Sequence, residues 1–69
     1  MDWIRLEGET LVKVQAYDEA ERRVQFEFRC QVGKNLCAYD KMDYIASAAN
    51  SLALLRGYHR YKVLEVEKV

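Results

Sequence analysis

The chain has 69 residues, of which 51% are hydrophobic and 32% charged, and its 11 basic and 11 acidic side chains balance to a net charge of zero. This composition is typical of a globular protein, and the length predicts a single domain over residues 1–69. The balanced charge argues against a protein that coats nucleic acid, because such proteins carry a basic excess. The sequence lacks a membrane-spanning run and a signal peptide, so we expect a cytoplasmic protein with no membrane partner.

Two alternating segments near the start of the chain predict a β-hairpin. Residues 10–16 alternate as a strand does, and residues 23–32 alternate more cleanly. The apolar face of the second segment consists of Val24, Phe26, Phe28, Cys30 and Val32. The polar residues 18–21 between the segments have the length of a hairpin turn. A shorter strand over residues 3–7 is expected before the pair, with Gly8 at the corner.

The middle of the chain predicts one helix, from about Asp40 to Arg56. Asp40 is suited to the N-cap, and Asp43 places a second carboxylate in the first turn, where the helix dipole favours it. Gly57 is suited to end the helix, with Arg56 in the last turn. The predicted apolar stripe consists of Ile45, Ala48, Ala49, Leu52 and Leu55, flanked by Met42 and Tyr44.

The end of the chain predicts a final strand over residues 58–69. Its alternation is irregular, because Tyr61 and Val63 fall on one face and Leu64 and Val66 on the other. This pattern indicates either a β-bulge or a strand that is buried on both faces. The predicted fold is therefore α+β, with (β)ββαβ order, an antiparallel sheet of three to four strands, and one helix packed on one face.

One helix covers only one face of a sheet, so the second face needs its own explanation. In this prediction it carries Leu11, Tyr17 and one of the two apolar pairs of the last strand, mixed with charge. A half-apolar face on a chain with so small a core is a natural place for another protein to dock. We therefore expect a homodimer or an obligate partner.

The sequence lacks the residue patterns of an enzyme, a metal site or a cofactor site. Cys30, Cys37 and His59 provide three soft ligands where a closed zinc site needs four. An intracellular chain normally keeps both thiols reduced, although pairing of the two cysteines stays open. No nucleophile elbow surrounds Ser47 or Ser51, and a Cys37–His59 pair lacks oxyanion glycines. We predict a protein that is not an enzyme and that uses no cofactor and no metal.

Acidic residues are concentrated in the first part of the chain. Residues 1–21 hold six acidic and two basic side chains, whereas residues 22–36 hold one acidic and four basic ones. The hairpin turn is therefore expected to be an acidic tip, with a second acidic corner beside Gly8. Clustered carboxylates on a turn can occupy a basic groove of another protein. The candidate partner-binding residues are Glu7, Glu9, Asp18, Glu19 and Glu21.

A second candidate surface is basic and aromatic. Residues 56–62 combine three fixed cations, one histidine and two tyrosines; cations neutralise phosphates, and flat rings stack on unpaired bases. The competing interpretation is structural, because alternate residues of a strand fall on opposite faces and Arg56 complements the end of a helix. The candidate nucleic-acid-binding residues are Arg23, Arg29, Arg56, Tyr58, Arg60 and Lys62.

In size, element order and a charge-rich character without a diagnostic motif, most of the chain resembles small phage-encoded inhibitors of host machinery, in particular the compact α+β anti-CRISPR proteins. The resemblance implies a non-enzymatic viral protein that binds a larger host protein or ribonucleoprotein complex. It would block a CRISPR surveillance or nuclease complex in the host cytoplasm. No individual residue is carried over, because these inhibitors share no motif, and the zero net charge departs from their strongly acidic, DNA-mimicking members. The alternative is a small nucleic-acid-binding module built on residues 56–62.

Overall fold

The computed structural model describes residues 5–69, which form three strands and one helix. In chain order these are β1 (Gly8–Tyr17), β2 (Arg23–Val32), α1 (Ala38–Leu55) and β3 (His59–Lys68). The strands form one antiparallel sheet in the order β2-β1-β3, which confirms the predicted α+β fold with ββαβ order. Of the strand expected over residues 3–7, Trp3 and Ile4 lie outside the described residues. Residues 5–7 are not in a strand, so that part of the prediction is wrong.

β1 and β2 form the predicted hairpin. Their ten residues each pair without interruption, from Gly8 opposite Val32 to Tyr17 opposite Arg23. β1 is longer than residues 10–16 predicted, because its pairing with β2 continues through polar residues at both ends. In the turn, the backbone N–H of Asp18 donates to the carbonyl of Arg22 at 3.0 Å, which extends the ladder by one pair.

The core lies between α1 and one face of the sheet. On β1, every second side chain is fully buried: Thr10, Val12, Val14 and Ala16. On α1, the buried side chains recur every four residues: Lys41, Ile45, Ala49 and Ala53. No buried side-chain nitrogen or oxygen among the described residues lacks a hydrogen-bond partner. Phe26, Phe28 and Cys30 of β2 pack against this core, as the sequence predicts, but each is only partly buried.

The predicted helical stripe is right at Ile45 and Ala49 and wrong at Leu55, which is 82% exposed. A step of four residues turns about 40° beyond a full helical turn, so a line of such steps drifts round the helix. The drift carries the buried line to Ala53, which is 1% exposed. Leu55 lies two residues further on and faces away from the sheet.

The N-terminal end of α1 differs from the prediction. The helix begins at Ala38, and its N-cap is Cys37, which makes no side-chain capping bond. Asp40 is therefore not the N-cap as predicted but lies in the first turn, where its charge still meets the positive end of the dipole. Asp43 lies beyond that first turn, contrary to the prediction.

The C-terminal end agrees with the sequence at Gly57, whereas Arg56 is the C-cap and does not lie in the last turn, contrary to the prediction. Gly57 has φ +77°, a left-handed conformation that glycine adopts without a steric penalty. Its N–H donates to the carbonyl of Leu54 at 3.1 Å, and the N–H of Tyr58 donates to the carbonyl of Ala53 at 2.9 Å. These two bonds form a Schellman motif, so Gly57 ends the helix as predicted.

The irregular alternation of β3 is resolved by a β-bulge. Lys13 is opposite Glu65 and Val14 is opposite Val63, so Leu64 is an extra residue on β3. The bulge lets Val63 and Val66 both pack against the core although they are three residues apart. A second irregularity in the same pairing lies between Gln15 and Tyr17 of β1.

The sheet face away from α1 is mostly polar. On β1 it carries Leu11, Lys13, Gln15 and Tyr17, which are all half-buried. The Nζ of Lys13 lies 3.5 Å from a carboxylate oxygen of Glu65 on β3. Because the bulge directs both Val63 and Val66 to the core, this face does not receive a complete apolar pair from β3. On β1, the expected half-apolar face therefore has Leu11 and Tyr17 as its apolar side chains.

Candidate functional site

The five candidate acidic residues lie at two opposite ends of the sheet. Glu7 and Glu9 flank the start of β1, whereas Asp18, Glu19 and Glu21 follow its end. β1 has ten residues, and a strand rises about 3.3 Å per residue, so roughly 30 Å separates the two groups. The structure does not bring the five carboxylates together. We call residues 18–22 the acidic turn.

Asp18 holds the acidic turn in shape. Its Oδ1 accepts the backbone N–H groups of Ala20 and Arg22, each at 2.9 Å, and its Oδ2 accepts the Nε–H of Arg22 at 3.1 Å. The backbone hydrogen bond from Arg22, helped by the charge of its guanidinium, lowers the pKa of the Asp18 carboxyl. Asp18 therefore has its oxygens occupied by its own turn.

Glu21 connects the acidic turn to the start of β3. Its Oε1 lies 3.0 Å from Nε2 of His59, and its Oε2 pairs with the guanidinium of Arg60. That guanidinium also lies over the ring of Tyr17, with Cζ 4.4 Å from the ring centroid. Glu21 and Arg60 both have left-handed backbones, with φ of 62° and 52°, a conformation that costs a non-glycine residue about 1–2 kcal/mol. The surrounding contacts hold both residues in place.

Glu19 differs from its two acidic neighbours. It is exposed, and it forms no ion pair with the described residues. One of its carboxylate oxygens lies beside the end of α1, 3.8 Å from the position that a Cβ on Gly57 would take. A shallow depression of about 340 Å³ adjoins it, lined by Asp18, Glu19, Ala20, Arg22, Arg56 and Gly57. The acidic turn thus presents one carboxylate that its own structure leaves available.

The candidate basic and aromatic residues do not form one surface. The guanidinium of Arg56 lies 4.6 Å from the ring centroid of Phe26, whose ring is 6.1 Å from that of Tyr58. These three side chains form a cluster on the helix side of the sheet. Arg29 is distant from this cluster along β2, and its Nη1 lies 3.4 Å from a carboxylate oxygen of Glu9.

Arg23 and Lys62 occupy the other face. Arg23 is opposite Tyr17 in the β1–β2 register, and Lys62 is opposite Gln15 in the β1–β3 register. Both are exposed and form no ion pair with the described residues. Arg56 is also exposed and forms no ion pair with the described residues, but its guanidinium lies over the ring of Phe26. Arg23 and Lys62 are therefore the two candidate cations that neither an ion pair nor an aromatic ring of the described residues engages.

The corner beside Gly8 has mixed charge. A shallow depression of about 390 Å³ is lined by Glu7, Gly8, Glu9, Val32, Lys34 and Lys68. Two carboxylates therefore share this corner with two amines, and Glu9 is also paired with Arg29. The pairing of acidic with basic side chains at this corner was not predicted, because Lys34 and Lys68 are distant along the chain and only the fold brings them to the start of β1.

Cys37 and His59 are separated by the length of α1. Cys37 precedes the helix and His59 follows it; 18 helical residues at about 1.5 Å each place them roughly 27 Å apart. Both cysteines are free, Cys37 exposed and Cys30 half-buried, and burial raises the pKa of the Cys30 thiol. Within the described range, no three His, Cys, Asp or Glu side chains are grouped so as to hold a metal ion.

The outer surface of α1 carries large apolar side chains in a polar setting. Tyr39 is 77% exposed and Leu54 is 63% exposed, and Met42, Tyr44 and Leu55 are exposed as well. Tyr39 and Met42 lie near the start of α1, and Leu54 and Leu55 lie at its end, so the exposed apolar side chains are spread along the helix. This surface was not predicted, because the sequence placed Leu55 on the buried side.

No protein-family model, no curated protein and no solved structure matches this chain. Among residues 5–69 there is no helix with the length and apolar content needed to cross a membrane.

Proposed function

We propose that the protein is a non-enzymatic inhibitor that binds a larger protein or ribonucleoprotein complex. In keeping with the resemblance to phage-encoded anti-CRISPR proteins, its target is a CRISPR surveillance or nuclease complex in the host cytoplasm. It acts by occupying a basic surface on which the target binds nucleic acid. The observation that carries the proposal is Glu19, an available carboxylate on a turn that other contacts hold rigid.

The rigidity of the acidic turn favours binding. Asp18 fixes the turn from inside with three accepted hydrogen bonds, and Glu21 fixes it to β3 through His59 and Arg60. A group that is already ordered loses little conformational entropy when it binds, so more of the gross attraction appears as affinity. A basic groove would then accept Glu19 through directional bonds to its own arginines.

The roles of the five acidic candidates differ in this proposal. Glu19 makes the direct contact, whereas Asp18 and Glu21 position it. Glu7 and Glu9 lie about 30 Å away, so they contact the target only if it spans both ends of the sheet. Charge reversal at Asp18 or Glu21 would disturb the turn itself, so Glu19 is the residue to test.

The test measures relief of interference in bacteria. Cells carrying a panel of CRISPR systems express the chain, and the efficiency of transformation by a targeted plasmid is measured. We expect wild type to restore transformation with at least one system and Glu19→Lys to lose at least tenfold of that effect. Glu67→Lys is the matched control, because Glu67 is an exposed carboxylate on β3 away from the acidic turn. Equal activity of all three proteins would contradict the proposed role of Glu19.

A nucleic-acid-binding module is the second candidate. It is favoured by Arg23 and Lys62, two exposed cations without ion pairs among the described residues, on strands that flank β1. Two available cations predict weak binding that falls with added salt. Mobility-shift titrations with single- and double-stranded DNA and RNA at two salt concentrations test this function. A salt-sensitive shift that Lys62→Glu removes and Glu19→Lys does not would favour the module over the inhibitor.

We also propose that the protein is a homodimer. The sequence predicts that the dimer contact lies on the face away from α1. The apolar side chains that β1 contributes to this face are Leu11 and Tyr17. A different part of the molecule is better suited to a second copy.

A further inference from the structure

Among residues 5–69, no strand pairs with the outer edge of β2, and we call this the free edge. In an antiparallel ladder, successive residues of a strand direct their N–H and C=O groups to alternate sides. Asp18 bonds to Arg22, and the N–H of Val69 donates to the carbonyl of Glu9 at 3.1 Å. Even-numbered residues of β1 therefore bond toward β2, and odd-numbered ones toward β3. It follows that the N–H and C=O groups of five β2 residues point away from the sheet: Arg23, Gln25, Glu27, Arg29 and Gln31.

The two edges of the sheet are not equivalent. β3 has two register irregularities against β1 and a left-handed residue, Arg60, and such features keep an edge from pairing with another strand. β2 pairs with β1 over ten residues with no irregularity. It is therefore the straighter edge and the one able to receive a further strand.

The apolar side chains of β2 are incompletely covered. α1 lies nearest to β3, and Val24, Phe26, Phe28 and Cys30 are each only half-buried, whereas the β1 side chains beside them are fully buried. The apolar side chains at the free edge of the sheet are therefore partly exposed to solvent.

We propose that β2 pairs antiparallel with β2 of a second copy about a two-fold axis at Phe28, which joins the two sheets into one of six strands. The proposal names the interface of the homodimer proposed above. Phe28 is then opposite its own copy, and Phe26 is opposite the partner's Cys30. On the polar face, Glu27 is opposite the partner's Arg29, and the two-fold axis repeats this pair.

The charges of the β2 side chains and the number of paired residues favour this register over registers with the axis at another residue. An axis at Glu27 or at Arg29 places like charges opposite each other, and an axis at Phe26 places Arg23 opposite the partner's Arg29. An axis at Gln25 or Cys30 leaves only five residues of β2 paired, whereas the axis at Phe28 pairs nine, from Val24 to Val32. Opposite charges directly across two strands attract and like charges repel. Side-chain charge and the number of paired residues therefore both favour the axis at Phe28.

Sedimentation velocity with charge-reversed variants tests the interface. We expect wild type to sediment as a dimer at micromolar concentration. Glu27→Arg and Arg29→Glu each place like charges opposite each other twice, so each is expected to raise the dimer Kd roughly tenfold or more. An equimolar mixture of the two variants restores both opposite-charge pairs and is expected to dimerise within about threefold of wild type. The mixture also serves as the folding control, because misfolded variants would not restore a dimer.

Three results would overturn the proposal. Wild type could remain a monomer, either variant could dimerise as tightly as wild type, or the mixture could fail to recover. Both variants retain Glu19 and the acidic turn, so loss of the dimer is measured separately from loss of inhibition. Inhibition by a monomeric wild type would reject this interface and leave the proposed function standing.

A cysteine variant tests the register. Phe28→Cys, combined with Cys30→Ser and Cys37→Ser, brings two thiols together at a non-hydrogen-bonded pair. The Cα separation there of about 4.5 Å is within the range of a disulfide. Rapid covalent dimerisation on oxidation is expected. Phe26→Cys with the same two serine substitutions is the control. Faster cross-linking of this control than of the Phe28→Cys variant would contradict the register.

Discussion

Substituting Ile45 and Leu55 separately by alanine compares two positions that the sequence places on one buried stripe. Ile45 is fully buried in contact with the core, whereas Leu55 is 82% exposed. Removing a buried isoleucine side chain costs about 2–5 kcal/mol, and we expect ~3 kcal/mol here, because the helix can relax only partly over the rigid sheet. A domain of this size has a total stability of roughly 3–10 kcal/mol. Ile45→Ala should therefore remove a large fraction of it.

Leu55→Ala is expected to change the free energy of unfolding by no more than about 0.5 kcal/mol. Both substitutions introduce alanine into the same helix, so differences in helix propensity are small and do not oppose the result. Urea denaturation followed by circular dichroism measures both variants, and similar m-values would show that the unfolding reaction is unchanged. An equal loss of stability in Leu55→Ala and Ile45→Ala would contradict the orientation of α1 described above, in which Ile45 faces the sheet and Leu55 faces solvent.

Three further predictions follow from local geometry. Gly57→Ala has room for its Cβ but must keep a positive φ, so it should lower stability by about 1 kcal/mol in thermal melts; an unchanged melting temperature would contradict the left-handed cap. Because the pKa of Asp18 is lowered in the folded state, its contribution is present above about pH 4 and is lost as pH falls further. The stability difference between wild type and Asp18→Asn should therefore shrink from pH 5 to about pH 2, and a constant difference would show that the carboxylate does not hold the turn. Cys37 should react with an aromatic disulfide before Cys30 does, since Cys37 is exposed and Cys30 is half-buried with a raised pKa; absorbance traces of Cys37→Ser that retain the fast phase would contradict this order.

The fold was largely predictable because its signals are local. The alternation of β2, the turn composition after Tyr17 and the glycine at position 57 each act within a few residues, and each is confirmed. The start of α1 and the position of Leu55 were predicted wrongly. They depend on how the helix sits on the sheet, which the pattern of one segment does not contain.

The candidate site was less predictable because its contacts are distant along the chain. Glu21 and Arg60 pair across 39 positions of sequence, and Arg60 lies over Tyr17 where the register of β1 and β3 is irregular. From the sequence, the acidic turn and the basic residues of 56–62 are therefore separate candidate surfaces. In the structure, Glu21 of the acidic turn contacts His59 and Arg60 of that segment.

We propose that an available carboxylate on the acidic turn, and not a basic surface, carries inhibition. The measurement that tests it most directly compares Glu19→Lys with Lys62→Glu as purified, folded proteins, titrated against cleavage of a DNA target by a sensitive CRISPR nuclease complex. Lys62 is suited to the comparison because it forms no ion pair with the described residues, whereas Arg60 is bonded to Glu21. We expect Glu19→Lys to raise the half-inhibitory concentration at least tenfold and Lys62→Glu to leave it unchanged. Full inhibition by Glu19→Lys together with loss of inhibition by Lys62→Glu would contradict it and assign the function to the basic surface.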